Sequence, residues 1–343
     1  MLDYEHFCQD VRKALNSSSG RYLIASGLRG GLGHKYTSIF HSILTAIHTN
    51  RSLYSTYHEI LIILSPLVHV PLVFWEGTST CLIQRQFTGE YYIDNTYNYP
   101  VTKRTLTRNE QDRRQSIASI VGNYQVMVMK DFRPSWEKMI AESFEHVIMN
   151  NPYLNQYDFS QIRKRLARIL LNPTPDILDY LDKFKQMHYV NRTVLALQLR
   201  TGGCLANVRE TSQLISNYEL KGIPEKVQAY LAEMNHPIVY LSTDSDYAEA
   251  YLRSHLAGVE IQTSSSRFAR THSSGFPTTF AVKSALVDMF LLADSDVLMA
   301  SFRSGFGKMA SLLTRARTVI QMDFTHTRVD LNNCRDVIES YQV

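Results

Sequence analysis

Four short stretches of this sequence combine glycine, arginine and hydroxyl side chains in patterns suited to binding a phosphate. They read GLRGGLGHK at 27–35, LQLRTGG at 197–203, YLSTDSD at 240–246 and ASFRSGFGK at 300–308. Glycines let backbone N–H groups approach an anion, and the N-terminus of a helix attracts negative charge. An arginine fork binds two phosphate oxygens at once. Together the four stretches indicate a phosphorylated ligand.

The glycine stretch matches neither standard nucleotide-binding pattern. After Gly31 and Gly33, the third glycine position of the dinucleotide-binding fingerprint holds Tyr36, and no Gly-Lys-Ser/Thr sequence follows to make a P-loop. A tight strand-to-helix turn without a ligand explains the glycines as well as an anion site does. The pattern alone leaves both interpretations open.

Arg200 and Asp244 each follow an apolar strand, at the edge of the sheet where open α/β folds bind their ligands. Arg200 suits a pyrophosphate, and the alternative is a structural ion pair. Asp244 can accept hydrogen bonds from a sugar hydroxyl or from guanine. The alternative for this segment is helix capping, for which Asp246 is the best placed residue.

The last stretch is an apolar strand followed by Ser301, Arg303 and Ser304 and then by a helix. It is not a Walker sequence, because Met309 occupies the position of the required hydroxyl residue. The N-terminus of such a helix can nevertheless hold a phosphate without a metal.

The elements that must position these residues alternate regularly after residue 191. Apolar strands are predicted at 193–199, 237–242, 259–262, 297–300 and 318–323. Amphipathic helices are predicted between them, at 224–234, 246–256, 279–293 and 305–316. Strands that alternate with helices predict a doubly wound parallel sheet.

The first half starts in the same way but soon becomes harder to interpret. A strand at 21–26 leads through the glycine stretch into a helix with Phe40, Ile43 and Ile47 on one face. Residues 80–130 show no clear pattern, whereas 160–187 is helical, with Pro175 at the first position of its second helix.

Length and charge narrow the class of protein. A chain of 343 residues predicts two domains, and we place their boundary near residue 188, giving domains 1–188 and 189–343. The net charge of +4 is scattered, so nucleic-acid binding has little support. No apolar run reaches the roughly 20 residues of a membrane span. The four cysteines form no CxxC pair, which argues against structural zinc.

The order of these motifs resembles the fucosyltransferase superfamily, whose members have a glycine loop of the type GGLGNR and three short motifs around GDP-fucose. The likeness is closest to the plant-type xyloglucan α1,2-fucosyltransferases, which also have a glutamine before the strand-end arginine and a serine-rich turn that runs into Phe-Gly. It covers about 30 residues near the amino end and most of 193–323.

The resemblance implies a GT-B fold, in which two Rossmann-like domains face each other across a cleft. The first domain would bind the acceptor and the second the donor, GDP-fucose. Fucose would pass, with inversion and without a metal or other cofactor, to a hydroxyl of a glycan or glycoprotein, most simply the 2-hydroxyl of galactose.

The resemblance also assigns the donor site residue by residue. Arg200 would bind the β-phosphate and act in catalysis, and Asp244 would bind the guanine. The other donor-binding residues would be Gly31, Gly33, Lys35, Gln198, His272, Ser273, Ser301, Ser304, Gly305 and Phe306.

Three residues depart from the family pattern. His34 and Lys35 stand where the family usually has asparagine and arginine, and Gln198 replaces a frequent histidine. His34 is the best candidate for the catalytic base, because an imidazole titrates near neutral pH. The alternative is a loop residue that only contacts the backbone, and Glu76 and then Asp94 follow as candidates for the base.

Two other functions fit the same motifs. A transferase of this architecture with another nucleotide sugar is one, since a fold does not determine a substrate. A GDP-sugar-binding protein that has lost transfer is the other. The resemblance implies the lumen of the Golgi or secretory pathway if a membrane anchor lies outside this chain, and a cytoplasmic location is the alternative.

Overall fold

The structure is a computed structural model, in which only part of the chain is described. The described residues are 4–15, 22–26, 40, 42–43, 46–47, 52–55, 103–106, 126–130, 149–171, 173, 175–207, 211–264, 279–302, 304–325, 327–328 and 331–334.

The chain divides into two compact units, and the residues from Pro175 onward belong to the second. Helix Pro175–His188 therefore belongs to the second unit. Its Phe184 is buried and packs edge-on against Tyr240, with ring centroids 5.7 Å apart. This contact joins the helix to a strand of the second unit.

The first unit contains a parallel sheet of four strands in the order β2-β1-β4-β3. These strands are β1 (Tyr22–Ser26), β2 (Ser52–Ser55), β3 (Lys103–Leu106) and β4 (Val126–Lys130). The strand expected at 21–26 is thereby confirmed. Phe40, Ile43 and Ile47 are helical and buried, as their spacing predicts.

Two helices of this unit, α1 (Tyr4–Leu15) and α2 (Phe159–Leu170), are linked through a buried carboxylate. Asp10 of α1 accepts hydrogen bonds from Gln156 at 2.9 Å and from the Tyr157 hydroxyl at 3.0 Å, just before α2. The Phe7 and Tyr157 rings meet edge to face, with centroids 5.0 Å apart. Sequence patterns did not reveal α1.

The second unit holds the regular alternation seen in the sequence. Its longer strands are β5 (Thr193–Leu199), β7 (Pro237–Thr243), β9 (Val297–Ser301) and β10 (Thr318–Met322), and its short strands are β6 (Ser212–Gln213), β8 (Ile261–Gln262) and β11 (Thr327–Arg328). The helices are α3 (Pro175–His188), α4 (Asn217–Lys221), α5 (Ile223–Leu231), α6 (Asp246–His255), α7 (Thr279–Ala293) and α8 (Gly305–Leu313), followed by a 3-10 turn at Leu331–Asn333.

Five of these strands form a parallel sheet in the order β10-β9-β5-β7-β8. From β5 the chain proceeds to β7 and β8 on one side, and then returns to add β9 and β10 on the other. The doubly wound parallel sheet expected from the sequence is confirmed. The direction in which successive strands are added to the sheet reverses between β5 and β9.

Alternate residues of the central strands pack against helices on opposite faces of this sheet. Leu197 and Leu241 belong to a buried cluster with Val227 of α5 and Leu252 of α6. Tyr240, one residue from Leu241, contacts α3 and α7 instead. Both faces are therefore covered, as a buried parallel sheet requires.

Candidate functional site

The predicted site residues of the second unit lie at the carboxyl edge of the sheet, beside its switch point. Leu199 pairs with Thr243, and Gln198 pairs with Ala300, so that the ends of β5, β7 and β9 lie next to one another. Ligands of open α/β sheets bind at this position. The fold thus brings Arg200, Asp244 and Ser301 together.

Arg200 and Asp244 form an ion pair, in which Nη1 of Arg200 contacts Oδ2 of Asp244. Their side chains are only 15% and 18% exposed. A guanidinium has five N–H donors in a planar fork, so this pairing also orients it and is compatible with phosphate binding. The structural ion pair that the sequence left open for Arg200 is present.

Asp244 also holds the loop that follows β5. Its Oδ1 accepts hydrogen bonds from the Thr201 amide at 2.8 Å and from the Thr201 hydroxyl at 2.9 Å. Its Oδ2 accepts from the Gly202 amide at 3.1 Å. The carboxylate thus fixes the backbone directly after Arg200, a role that the sequence did not predict. Its contact with guanine stays a prediction.

Ser301 joins the end of β9 to the end of β5. Its hydroxyl accepts a hydrogen bond from the Arg200 amide at 3.0 Å and lies 3.3 Å from the Gln198 carbonyl oxygen, to which it donates. Its amide donates to Oε1 of Gln198 at 3.3 Å. Gln198 and Ser301 are both buried. These contacts position the backbone of Arg200.

Ser304 caps the N-terminus of α8. Its hydroxyl accepts a hydrogen bond from the Gly307 amide at 3.2 Å, and its backbone is extended, as an N-cap requires. Gly305 and Phe306 are the first two residues of the helix, so their N–H groups have no partner within it. No acidic residue occupies the first turn. Because α8 begins just after the carboxyl end of β9, the positive end of its dipole lies at the edge of the sheet that carries Arg200.

Gly307 lets α8 approach the sheet closely. A Cβ at this position would lie 2.5 Å from Oε1 of Gln198 and 3.1 Å from Cβ of Ala300. Only glycine fits such contacts without moving the helix. The second glycine of the GFG sequence is therefore needed for packing, whatever the ligand.

Asp288 is a polar residue of this edge that the sequence interpretation missed. Its carboxylate accepts hydrogen bonds from the hydroxyls of Tyr240 at 2.7 Å and Ser242 at 2.9 Å, and also from Ser264. Burial, and then the charge of Asp288, raise the pKa of Tyr240 well above its ordinary value. Asp288 thus ties the ends of β7 and β8 to α7. A carboxylate inside an otherwise apolar helical stretch was the available signal.

The helix cap after β7 differs from the prediction. Ser245 rather than Asp246 is the N-cap of α6, because its hydroxyl accepts a hydrogen bond from the Ala248 amide at 3.1 Å. The Asp246 amide donates to Oδ1 of Asn207 at 3.0 Å, and the Asn207 amide donates to the Asp244 carbonyl at 2.8 Å. The loop after Arg200 is thereby joined to the start of α6.

Comparison with known proteins relates this fold to a class of enzymes. No protein-family model and no curated protein sequence matches the chain. A mutant of Arabidopsis thaliana FUT1 in complex with GDP aligns with a TM-score of 0.57 and 14% identity, over 91% of this chain and 73% of that one. NodZ alpha-1,6-fucosyltransferase of Bradyrhizobium, soaked with GDP-fucose, aligns with a TM-score of 0.52 and 16% identity, over 90% of this chain and 99% of that one. The fold is that of solved fucosyltransferases.

Several predicted site residues lie outside the described part of the chain. They are Gly31, Gly33, His34, Lys35, His272, Ser273 and Arg303. Among the described residues, no cluster of three His, Cys, Asp or Glu side chains is arranged to hold a metal ion. None of the described helices has the length and apolar character needed to cross a membrane.

Proposed function

We propose that this chain is a glycosyltransferase of the fucosyltransferase superfamily, which transfers fucose from GDP-fucose to a hydroxyl of a glycan or glycoprotein. One observation carries the proposal: Arg200 and the capped N-terminus of α8 lie together at the switch point of a sheet with the fold of those enzymes. The solved relatives hold GDP or were soaked with GDP-fucose, and they motivate the choice of donor.

The donor diphosphate would bind where these positive groups meet. Arg200 would contact the β-phosphate, while Ser304 and the N–H groups of Gly305 and Phe306 would contact the diphosphate at the end of α8. Gln198 and Ser301 would act indirectly, because they position the Arg200 backbone. The resemblance would add Gly31, Gly33 and Lys35 to the residues that bind the donor.

The reaction would be an in-line displacement with inversion. An acceptor oxygen forms a bond to the anomeric carbon, the bond from that carbon to the β-phosphate oxygen breaks, and GDP leaves with the electron pair. The acceptor proton passes to a base, for which His34 is the candidate. Arg200 and the α8 dipole act on the charge that grows on the leaving phosphate, so they stabilise the transition state more than the ground state. They supply this charge without a metal or another cofactor.

The finer specificity rests on the motif likeness alone. The resemblance to the xyloglucan enzymes favours α1,2-transfer to galactose. Transfer from another nucleotide sugar is the alternative within the same fold. A GDP-sugar-binding protein without transfer activity is favoured by one observation, the replacement of the usual Asn-Arg by His34 and Lys35.

Two features support a location in the secretory pathway. Cys204 and Cys334 form a disulfide, which is typical of proteins from oxidising compartments. Asn191 begins an Asn-Arg-Thr glycosylation sequon and is exposed in the turn before β5, at the sheet edge opposite to Arg200. A glycan on Asn191 of the native protein, detected by glycosidase treatment and mass spectrometry, would support this location. Free thiols at Cys204 and Cys334 would favour the cytoplasm.

The donor is tested by calorimetric titration with GDP, GDP-fucose, GDP-mannose, UDP-glucose and NAD. We expect tight binding of GDP and GDP-fucose, and a loss of about tenfold to a hundredfold in Arg200→Ala, because the variant lacks a charge-assisted hydrogen bond worth about 1.5–3 kcal/mol. Arg192→Ala is the matched control, because Arg192 forms an ion pair with Glu260 at 2.5 Å at the opposite end of β5. Equal affinity for all five compounds would refute the donor site.

Transfer itself needs a second assay. Release of GDP from GDP-fucose, measured with and without a panel of galactose-terminated glycans, separates an enzyme from a binding protein. Tight GDP-fucose binding with no acceptor-dependent GDP release would favour the binding protein.

A further inference from the structure

The loop that carries Arg200 is held from several directions. Gly202 and Gly203 have φ angles of 60° and 57°, in the left-handed region that glycine adopts most readily. A Cβ on Gly203 would lie 2.7 Å from Cβ of Gln213, so the loop packs closely against β6. Thr201 and Cys204 are buried. This is an unusual backbone path that the surroundings must maintain.

The carboxyl-terminal segment contributes to these surroundings. We call residues 327–334 the strap; its described residues are 327–328 and 331–334. Its strand β11 pairs with β6 in antiparallel register, with Thr327 opposite Gln213. On its other side β6 contacts the Arg200 loop, because the Gly203 amide donates to the Ser212 carbonyl at 2.8 Å. The loop, β6 and the strap thus lie side by side.

The disulfide closes this arrangement. Cys204, four residues after Arg200, is bonded to Cys334 of the strap, with the two Cα atoms 5.0 Å apart. The partners are separated by 130 residues in sequence. Asp244 fixes the near end of the loop at Thr201 and Gly202, and the disulfide fixes its far end. The loop is therefore held at both ends by different kinds of contact.

We infer that the Cys204–Cys334 disulfide is a positioning element of the donor site, so that affinity for the GDP diphosphate depends on this bond. The inference rests on the proposed function. A bond at the far end restricts the left-handed glycines of the loop to the path that aims Arg200. Without it, only hydrogen bonds hold that end, from β6 and through Asn207 to Asp244 and Asp246, and a ligand must bind a less ordered loop.

A purely structural disulfide makes a different prediction. It would stabilise the second unit by restricting the unfolded chain, and its removal would lower the melting temperature without changing affinity for GDP. Affinity measured while the protein is folded separates the two roles.

The test uses the double variant Cys204→Ser/Cys334→Ser, which leaves Cys8 and Cys81 in place. GDP affinity is measured by calorimetry at a temperature where circular dichroism shows the variant to be folded. We expect the dissociation constant to rise about tenfold, within the range of ordinary couplings between sites. Leu252→Ala is the control: this buried residue of α6 belongs to the same core, so its truncation lowers stability. Its GDP affinity should stay within about twofold of wild type.

A second measurement needs no variant and covers the case in which the double variant fails to fold. Dithiothreitol reduces the disulfide to two thiols, supplying two electrons and two protons, and is itself oxidised to a cyclic disulfide. If the bond strengthens GDP binding, GDP must shift the reduction equilibrium of the bond by the same factor, because linkage is reciprocal. Mass spectrometry of alkylated peptides containing Cys204 reports the reduced fraction with and without saturating GDP.

The outcomes separate this inference from the proposed function. A folded double variant with wild-type GDP affinity, or a reduction equilibrium that GDP does not shift, overturns the inference and leaves the proposed function intact. Wild-type protein that does not bind GDP overturns both. A rise in the dissociation constant specific to the disulfide variant, matched by protection of the bond, supports the inference.

Discussion

Replacing Asp244 by asparagine tests whether this carboxylate acts on the donor directly or through Arg200. The amide keeps one oxygen for Thr201, but it turns an NH₂ group toward the donors of Arg200 and Gly202. Breaking a buried ion pair costs about 3–5 kcal/mol. The side chains of Arg200 and Asp244 are still 15% and 18% exposed, so we expect a loss of unfolding free energy at the lower end of this range, about 3 kcal/mol.

This loss should be visible by calorimetry. For a domain of the size of the second unit, each kcal/mol lowers the melting temperature by about 2–4 °C, so Asp244→Asn should lower it by about 6–12 °C. Glu260→Gln is the matched control, because it neutralises the partner of Arg192 in an exposed pair at the other edge of the sheet. We expect its effect to be below about 1 kcal/mol.

The affinity of Asp244→Asn for GDP and for inosine diphosphate distinguishes whether Asp244 positions Arg200 or binds guanine. Inosine diphosphate lacks the exocyclic amino group of guanine but keeps the diphosphate. If Asp244 positions Arg200, Asp244→Asn weakens the binding of GDP and of inosine diphosphate by the same factor, about tenfold for each 1.4 kcal/mol of binding free energy lost. If Asp244 binds guanine, only the preference for GDP disappears. A selective loss of that preference, with affinity for inosine diphosphate unchanged, would refute the positioning role.

Three further substitutions probe the same edge and its support. Ser304→Ala removes the cap of α8 and should cost about 1 kcal/mol in unfolding free energy and weaken GDP binding about threefold to tenfold in titrations. Gly307→Ala places a methyl group 2.5 Å from Oε1 of Gln198 and should lower unfolding free energy by about 1–3 kcal/mol in urea. Burial raises the pKa of Glu219, but hydrogen bonds from Ser216 and Thr325 outweigh it, so the pKa lies below its ordinary 4.5. Glu219 therefore stabilises the fold above that pH and loses this contribution as the pH falls through its lowered pKa. Urea unfolding at a series of pH values should therefore show that acid lowers the unfolding free energy of Glu219→Gln less than that of wild type.

Each of these predictions has a control or a contradicting result. Ser216 accepts a hydrogen bond from an amide of α4 as Ser304 does at α8, and it also donates one to Glu219. Ser216→Ala should therefore cost at least as much stability and leave GDP affinity unchanged. Gly222→Ala is the control for Gly307, since its Cβ would meet carbonyl oxygens only at 3.7 and 3.8 Å. Wild-type stability in Gly307→Ala would show that α8 can move away from β9. If acid lowers the unfolding free energy of Glu219→Gln as steeply as that of wild type, another carboxylate dominates the pH dependence of stability.

Sequence patterns were sufficient for the sheet of the second unit because its strands are long or flanked by clear helices. The strand expected at 193–199 and the helix expected at 279–293 agree with β5 and α7 residue for residue. The two-residue strands β6 and β11 leave no periodic signal, since they exist only through pairing between distant segments. The side-by-side arrangement of the Arg200 loop, β6 and the strap was therefore outside the reach of local patterns.

The candidate site was predictable in its position but not in its internal contacts. Strand-end residues such as Arg200 and Ser301 were expected at one edge, because parallel strands end together. Which of two neighbouring hydroxyl or carboxyl groups caps a helix depends on backbone angles, so Ser245 was missed in favour of Asp246. Asp288 was missed because a single carboxylate in an apolar helix does not indicate which hydroxyls will reach it.

The strand order has a consequence for how the chain is made. β5 is buried along almost its whole length and lies between β7 and β9. On the ribosome, β7 follows soon after, but β9 begins only at Val297. Until then, one side of this buried strand is an open edge, which is a template for pairing with other nascent chains. The strand that presents Arg200 is thus the place where an incomplete chain is most prone to aggregate, and chains truncated before β9 should accumulate as insoluble protein.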